Sequence, residues 1–415
     1  MHKIITFLGM RPISTNYRFN DKIYSGSVFA EALHQFTDYD AMLVFVTEEA
    51  KVTTWPVLEA MEDPRIKMVP IPLGKSTTEM WQLFDLILDR VDEGDSVIFD
   101  ITHGLRSTPF LVFLFAAFLK FARNVNIEAV YYGAYELGDK ENGIPAPVFD
   151  LSEFVNMLDW ITATDRFITT GDGGALTKLL RDEMPPGIQM SSDSAAREIG
   201  KSLRSAANGI ENMSQALRMV RPFEAMESGA VISRVINTSK DSIAVTARPF
   251  EALVDKIEGS YGQFGLESPI NPASALPNLI RQLGMAGWYL DHQQAVQATL
   301  LMREWLVSAY MAIQSTFPFN DRDKRELVEK KFNDAAYAIF REGKTGISKF
   351  NEDLNILPDP YCVIINWQKL SQMRNDIAHC GHRRNAQRAL ELIADANQVY
   401  EDLCQIANEI LPLIS

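Results

Sequence analysis

The sequence predicts an α/β domain followed by an all-α region, and three observations lead to that fold class. Short β-rich apolar runs alternate with helix-length segments over the first 150 residues. Several of these runs, such as AMLVFV at 41–46, are apolar throughout instead of alternating, as strands of a parallel sheet covered on both faces should be. After residue 151 the β signal fades and helical spacing takes over.

Taken in order, the strand-like runs are 3–8 (KIITFL), 41–46, 66–71, 96–101 (SVIFDI) and 129–133 (AVYYG). Helices are expected near 27–36, 54–61, 77–91 and 109–122. This reads as a doubly wound, Rossmann-like domain over 1–152. In such sheets ligands sit beyond the C-terminal strand ends, where the strand order reverses.

Two strand ends carry suitable residues. After the first comes Gly9-Met10-Arg11-Pro12-Ile13-Ser14-Thr15-Asn16-Tyr17, a loop with a glycine and small hydroxyls. After the fourth comes Asp100-Ile101-Thr102-His103-Gly104-Leu105-Arg106-Ser107, which opens a helix with Pro109 near its start. Free amides at a helix N-terminus, a glycine and an arginine make a phosphate cradle. Helix capping accounts for Ser107 and Thr108, but not for Thr102, His103 and Arg106 together. Leu73-Gly74-Lys75-Ser76-Thr77 imitates the end of a P-loop, but Val69 stands where the leading glycine belongs, so ATPase activity is excluded. No G-x-G-x-x-G follows the first strand, which argues against a dinucleotide cofactor.

A helical middle region is expected over 153–275. Trp160, Phe167, Leu176 and Leu180 fall on apolar stripes, and Pro185-Pro186-Gly187 breaks the chain before a helix running to about Met219. Arg197, Lys201 and Arg204 share a face of that helix; a solvated surface is the default for them, an RNA-guiding surface the alternative. The proline-rich 268–277 leads into a last all-α domain, 276–415, with helices expected at 279–289, 293–313, 324–340, 366–378 and 384–410. Arg303 and Glu304 sit in an apolar frame and read first as an internal ion pair or a helix-surface charge pair.

Composition fits a globular chain of two or three domains: 415 residues, 47% hydrophobic and 23% charged. A net charge of −14 excludes a general nucleic-acid coat, so any RNA contact must be local. Three cysteines give no disulfide framework, and Met1-His2-Lys3 leads straight into a strand. The most apolar stretch, 109–119, is too short to span a bilayer. The expectation is a cytoplasmic protein with no membrane partner.

The densest chemistry lies at Arg374-Asn375-Asp376-Ile377-Ala378-His379, just before Gly381. Asn375 and His379, four apart, share a helical face, whereas Arg374 and His379, five apart, lie about 140° around the axis. Either the helix breaks between them or a second copy of the chain completes the site. Imidazole moves protons near neutral pH, and guanidinium pairs with phosphate oxygens. RNA brings its own nucleophile, the 2′-hydroxyl, so phosphodiester cleavage here needs no metal. His379, Cys380 and His382 crowd together but lack the paired spacing of a structural zinc site. His382, Arg383, Arg384 and Arg388 add positive charge nearby.

The hexapeptide resembles the arginine–polar–histidine signature of HEPN ribonucleases, and Asp100–Ser107 resembles the loop of the CARF sensor domain. The chain as a whole resembles the CARF–HEPN ancillary ribonucleases of type III CRISPR systems, well at both ends and loosely over 153–275. The resemblance implies an endoribonuclease that cleaves single-stranded RNA without metal or other cofactor, giving 2′,3′-cyclic phosphate ends. It implies activation by cyclic oligoadenylate, tetra-adenylate favoured over hexa-adenylate, bound across the two-fold axis of a homodimer or of an oligomer of dimers. Ligand contacts would come from Gly9, Met10, Arg11, Ser14, Thr15, Asn16, Thr102, His103, Gly104 and Arg106. Catalysis would fall to Arg374, Asn375 and His379, with Arg303 or Glu304 auxiliary. The rival reading is a ligand-sensing regulator that binds nucleic acid through a winged-helix-like middle without cutting it.

Overall fold

The computed structural model describes the chain except residues 105–106, 245–246, 343–351 and 415, and except the side chains of 239–244, 342 and 352. It divides into two compact units, Met1–Asp159 and Trp160–Ser415.

The first unit is built on one eight-stranded sheet in the order β3-β2-β8-β7-β6-β1-β4-β5. Its elements are β1 (His2–Phe7), β2 (Thr15–Phe19), β3 (Lys22–Gly26), α1 (Phe29–Phe36), β4 (Ala41–Val46), α2 (Glu48–Thr53), α3 (Trp55–Glu59), β5 (Ile66–Pro70), α4 (Thr77–Leu88), β6 (Ser96–Asp100), α5 (Thr108–Arg123), β7 (Asn126–Gly133) and β8 (Ala146–Asp150). The five expected strands form the parallel block β5-β4-β1-β6-β7, with β1 paired in parallel to both β4 and β6. Alternate residues of these strands enter opposite cores. Ile5, Phe7, Leu43, Phe45, Val97 and Phe99 pack with α4 and α5, while Ile4, Met42, Val44 and Ile98 pack with α1. Two buried faces are why the runs read as continuously apolar.

The parallel sheet expected from the sequence is this five-stranded block, and three further strands extend it on one side into a mixed sheet. β8 pairs antiparallel to β7 and parallel to β2, and β2 and β3 form a hairpin. These strands leave most of their residues partly or fully exposed and carry little apolar signal. The turn Asn20-Asp21, with Asn20 at φ 54°, was the legible hint of a hairpin. Lys3 is buried on the first strand because its ammonium meets Asp92 at 2.9 Å and Asp95 at 2.6 Å.

The second unit takes in most of α6 (Ser152–Thr170), followed by α7 (Gly174–Asp182), α8 (Gly187–Ser192), α9 (Ser194–Arg218), α10 (Pro222–Ala244) and α11 (Arg248–Tyr261). After the proline-rich segment come α12 (Ala275–Asp291), α13 (Ala295–Ile313), α14 (Arg322–Glu342), α15 (Pro360–Ala378) and α16 (Ala389–Ile410). No strand is formed after β8 among the described residues, so a winged-helix middle finds no β-wing. One hydrophobic cluster runs from Trp160 to Ile414 and includes Phe167, Leu203, Trp305 and Trp367. α13 is buried nearly all round, and Trp305 anchors it by donating its indole N–H to the Leu279 carbonyl at 2.9 Å.

Candidate functional site

In the first unit, β1 feeds β4 on one side and the chain returns to β6 on the other, so the order reverses between β1 and β6. A cleft of about 390 Å³ lies at the C-terminal ends of these strands. Gly9, Met10, Arg11, Thr102, His103 and Gly104 line it, as do Thr47, Leu73 and Tyr135. Two strand-end loops far apart in sequence therefore meet where the sheet topology directs a ligand.

The loop after β6 is held from below by Asp100. Its fully buried carboxylate accepts from the Thr6 hydroxyl at 2.6 Å and from the Thr102 amide at 2.7 Å. Burial pushes the Asp100 carboxyl above its ordinary range. The Thr102 hydroxyl accepts from the Gly133 amide at 2.8 Å, tying the loop to β7. Thr54 donates to the Gly9 carbonyl at 2.8 Å, which fixes the other loop. The loops touch closely: a Cβ at Gly9 would stand 3.4 Å from the His103 carbonyl oxygen.

His103 stacks on Tyr135 with ring centroids 5.9 Å apart. Burial holds the His103 imidazole below its usual range, against the opposing pull of the Asp100 charge. Among the described residues its Nε2 is buried without a hydrogen-bond partner, so it can meet a ligand group.

Not every expected ligand residue joins this cleft. Ser14 stands outside its lining, and Thr15 and Asn16 belong to β2. The Thr15 hydroxyl donates to the Ile13 carbonyl, and Asn16 accepts from Ser25 across the hairpin. Arg106 lies outside the described residues. Ser107 is the N-cap of α5, yet its side chain makes no capping bond. Tyr135 was not singled out from the sequence, because it opens a short 3-10 turn that carries no motif.

In the second unit, α15 begins at Pro360, capped by Asp359, whose carboxylate accepts from the Cys362 amide at 2.9 Å. It ends at Ala378, with His379 as its C-cap. The stop is made by Cys380 at φ 51° and Gly381 at φ 72°, with the Gly381 amide reaching back to the Asp376 carbonyl at 3.3 Å. The helix thus continues unbroken past Arg374 and Asn375, and Arg374 and His379 are both exposed. Arg374 donates to the Asn375 side chain at 3.2 Å, and among the described residues no hydrogen bond joins it to His379. Asp376, buried within the motif, accepts from the Gln387 amide at 3.1 Å and pins the following turn to α15.

Arg303 and Glu304 form the internal pair expected as the default. Arg303 donates to Glu304 at 2.8 Å and to Glu329 at 2.7 Å, and its guanidinium lies 4.2 Å above the Trp367 ring of α15. Trp367 in turn donates to Asn333 at 2.9 Å. These contacts fix α15 against α13 and α14. Among the described residues no group of three or more His, Cys, Asp or Glu side chains is arranged to hold a metal ion. None of their helices is long and apolar enough to cross a membrane.

Residues 156–268 match the family model described as the second domain of CRISPR-associated protein MJ1674. The chain is 34% identical over 116 residues to that protein from Methanocaldococcus jannaschii, a match that takes in 27% of this chain and 18% of the relative. The matched part is therefore a small fraction of the relative's length. Among solved structures, Enterococcus italicus Csm6 bound to cyclic hexa-2′-fluoro-hexa-dAMP aligns over 100% of this chain and 95% of its own, at 13% identity and a TM-score of 0.47. No residue is carried over from that alignment. Over this segment the similarity is to a CRISPR-associated protein, in keeping with the resemblance to CRISPR ancillary proteins read from the sequence.

Proposed function

We propose that the chain is a cyclic-oligoadenylate-activated, metal-independent single-stranded RNA endoribonuclease of type III CRISPR antiviral defence. The observation that carries this reading is the order of parts along the chain. A segment matching a CRISPR-associated domain, 156–268, lies between a switch-point cleft and an exposed Arg374-Asn375-…-His379 motif. Residues 1–152 would sense, 153–275 would relay, and 276–415 would cut, in a cytoplasmic homodimer or oligomer of dimers.

In the sensor, the unpartnered Nε2 of His103 and the neighbouring backbone of Gly9 and Gly104 would meet the messenger, tetra-adenylate in preference to hexa-adenylate. A second copy would pack on the exposed stripe Phe110, Leu114, Phe118 and Phe121 of α5, the helix that starts at the ligand loop. At the catalytic end, one imidazole takes the proton of an RNA 2′-hydroxyl as its oxygen attacks the adjacent phosphorus. The 5′-oxygen leaves with a proton from a second acid group, giving a 2′,3′-cyclic phosphate and a 5′-hydroxyl. His379 serves this proton transfer, Arg374 stabilises the charge on the crowded phosphorus, and Asn375 orients Arg374. Since Arg374 and His379 are both exposed and make no hydrogen bond to each other among the described residues, the centre would be completed by the α15 of a second copy.

The test is incubation of the protein with labelled RNA and a panel of cyclic oligoadenylates, with and without EDTA. Cleavage that depends on one ring and survives chelation is expected. Cleavage that stops with EDTA and returns with a divalent ion overturns the mechanism, and no cleavage with any ring overturns the reading.

A further inference from the structure

One feature the proposed function leaves unused is a cavity of about 510 Å³ in the second unit. It is walled by the α9–α10 turn, by α12 and α13, and by the segment leading into α14. We propose that it is a nucleobase-binding pocket.

Its chemistry selects for a neutral, planar ligand with polar edges. Phe223, Phe319 and Leu300 supply apolar walls, and Gln282, Asn320 and Glu304 supply hydrogen-bonding groups. The charges cancel: Arg221 and Arg325 face Glu224 and Glu304. Arg325 is not free to take a phosphate. It donates to the Glu304 carboxylate at 2.6 Å, to the Ser308 hydroxyl at 2.9 Å and to the Phe319 carbonyl at 2.8 Å. Buried Gln282 spends its amide N–H on Asn278 at 2.6 Å, which leaves its carbonyl to accept from an exocyclic amine. A base finds aromatic walls and both donors and acceptors, the combination used to read unstacked bases of single strands. The volume lies in the range of small-ligand sites and exceeds what one base needs, leaving room for its ribose.

One wall is held in an unfavourable conformation. Val220, at the end of α9, adopts φ 53°, a left-handed backbone that a β-branched residue rarely takes, and its amide bonds the Leu217 carbonyl at 3.2 Å. The cavity is also connected to α15. Glu304 accepts from Arg303, whose guanidinium covers Trp367. Trp367 and His379 lie about 18 Å apart along the helix axis at 1.5 Å per residue. A base seated beside Glu304 would therefore bear on the same side chains that set the position of the catalytic helix.

The base could arrive on the RNA substrate or as a free nucleoside; the substrate form rests on the ribonuclease reading above. Two full-length assays separate the sources. Calorimetry of His379→Ala protein with adenosine, guanosine, cytidine and uridine is expected to show saturable binding of one of them. Leu300→Trp, which fills the cavity, and Phe223→Ala, which removes a wall, should each weaken it at least ten-fold with the circular dichroism unchanged. If Leu300→Trp does not fold, Phe223→Ala alone decides. Mapping of RNA cut sites with otherwise wild-type protein is expected to show a base preference at a fixed distance from the cut, flattened by the same variants. Nucleoside binding without a cut-site effect assigns the pocket to free nucleosides and leaves the ribonuclease reading untouched. If neither nucleoside binding nor cut-site choice responds to either variant, the pocket assignment is wrong, whether or not RNA is cleaved.

Discussion

At the C-terminal ends of the central strands, Thr54 donates to Gly9, Gly133 donates to Thr102, the Thr102 amide donates to Asp100, and the cleft exists in a single chain. At the end of α15, Arg374 and His379 stand exposed with no hydrogen bond between them, while the buried positions of the same helix, Trp367, Leu370, Met373 and Asp376, do the packing. The first arrangement is preorganised for a ligand; the second presents reactive groups and leaves their convergence to another surface. That difference suits a switch, in which binding is always available and chemistry is conditional on assembly.

The largest effect should come from breaking the unfinished site. His379→Ala is expected to lower RNA cleavage by about 10²–10⁴-fold, and Arg374→Ala by about 10²–10³-fold. Neither should move the unfolding midpoint. A mixture of the two inactive proteins sharpens the comparison. If each centre takes its arginine from one chain and its histidine from the other, mixing should restore about a quarter of wild-type cleavage, because half the dimers are mixed and each carries one intact centre. Absence of any restored activity would mean that each centre draws both groups from one chain or needs both from each.

Breaking the finished site should cost less. His103→Leu keeps the side-chain bulk but removes the unpartnered Nε2, and messenger affinity should fall about ten-fold by calorimetry, as for one lost hydrogen bond in a closed pocket. Activation should fall with it while messenger-free cleavage stays the same. An unaltered affinity would remove His103 from the sensor.

Arg303→Met tests the support behind the exposed motif. It strands the half-buried Glu329 and uncovers Trp367, so stability should fall by about 2 kcal/mol in denaturant unfolding. No change would show that α15 is positioned by apolar packing alone.

The smallest effect is one of pH. Burial would raise the Asp95 carboxyl, but the Lys3 ammonium and the Asp92 amide more than offset this and hold it below its ordinary range. A lowered carboxyl stabilises the fold above its unfolded pKa and loses that contribution as pH falls through the folded value. Wild-type stability should therefore decline below about pH 4, and Asp95→Asn should flatten this limb while lowering stability near neutrality. The comparison is between denaturant midpoints measured across that range.

Much of this was legible before any coordinates. The five apolar runs became the parallel block because both their faces are buried, and the glycine-bearing strand ends became the cleft because a doubly wound sheet places its switch point there. The weakly patterned β2, β3 and β8 escaped notice, since edge-side strands with exposed faces look like loops. Thr15 and Asn16 were drawn into the ligand loop for that reason. The start of α9 was legible from the Pro185-Pro186-Gly187 break, whereas α15, capped by Asp359, starts six residues ahead of the expected 366. The anchoring of α15 by Arg303 on Trp367 involves residues remote in sequence, which spacing cannot reveal.

The exposure of Arg374 and His379 has an evolutionary side. Surface side chains without partners are exchanged at a stability change of about half a kcal/mol or less. On the proposed function, a lineage could silence the nuclease by one codon change and still make a folded, messenger-binding protein. Folding would not report the loss, so only continued exposure to invaders would keep these residues in place. Chains that retain the cleft around His103 but have drifted at 374 or 379 would then be retired effectors, serving as sinks for the alarm signal.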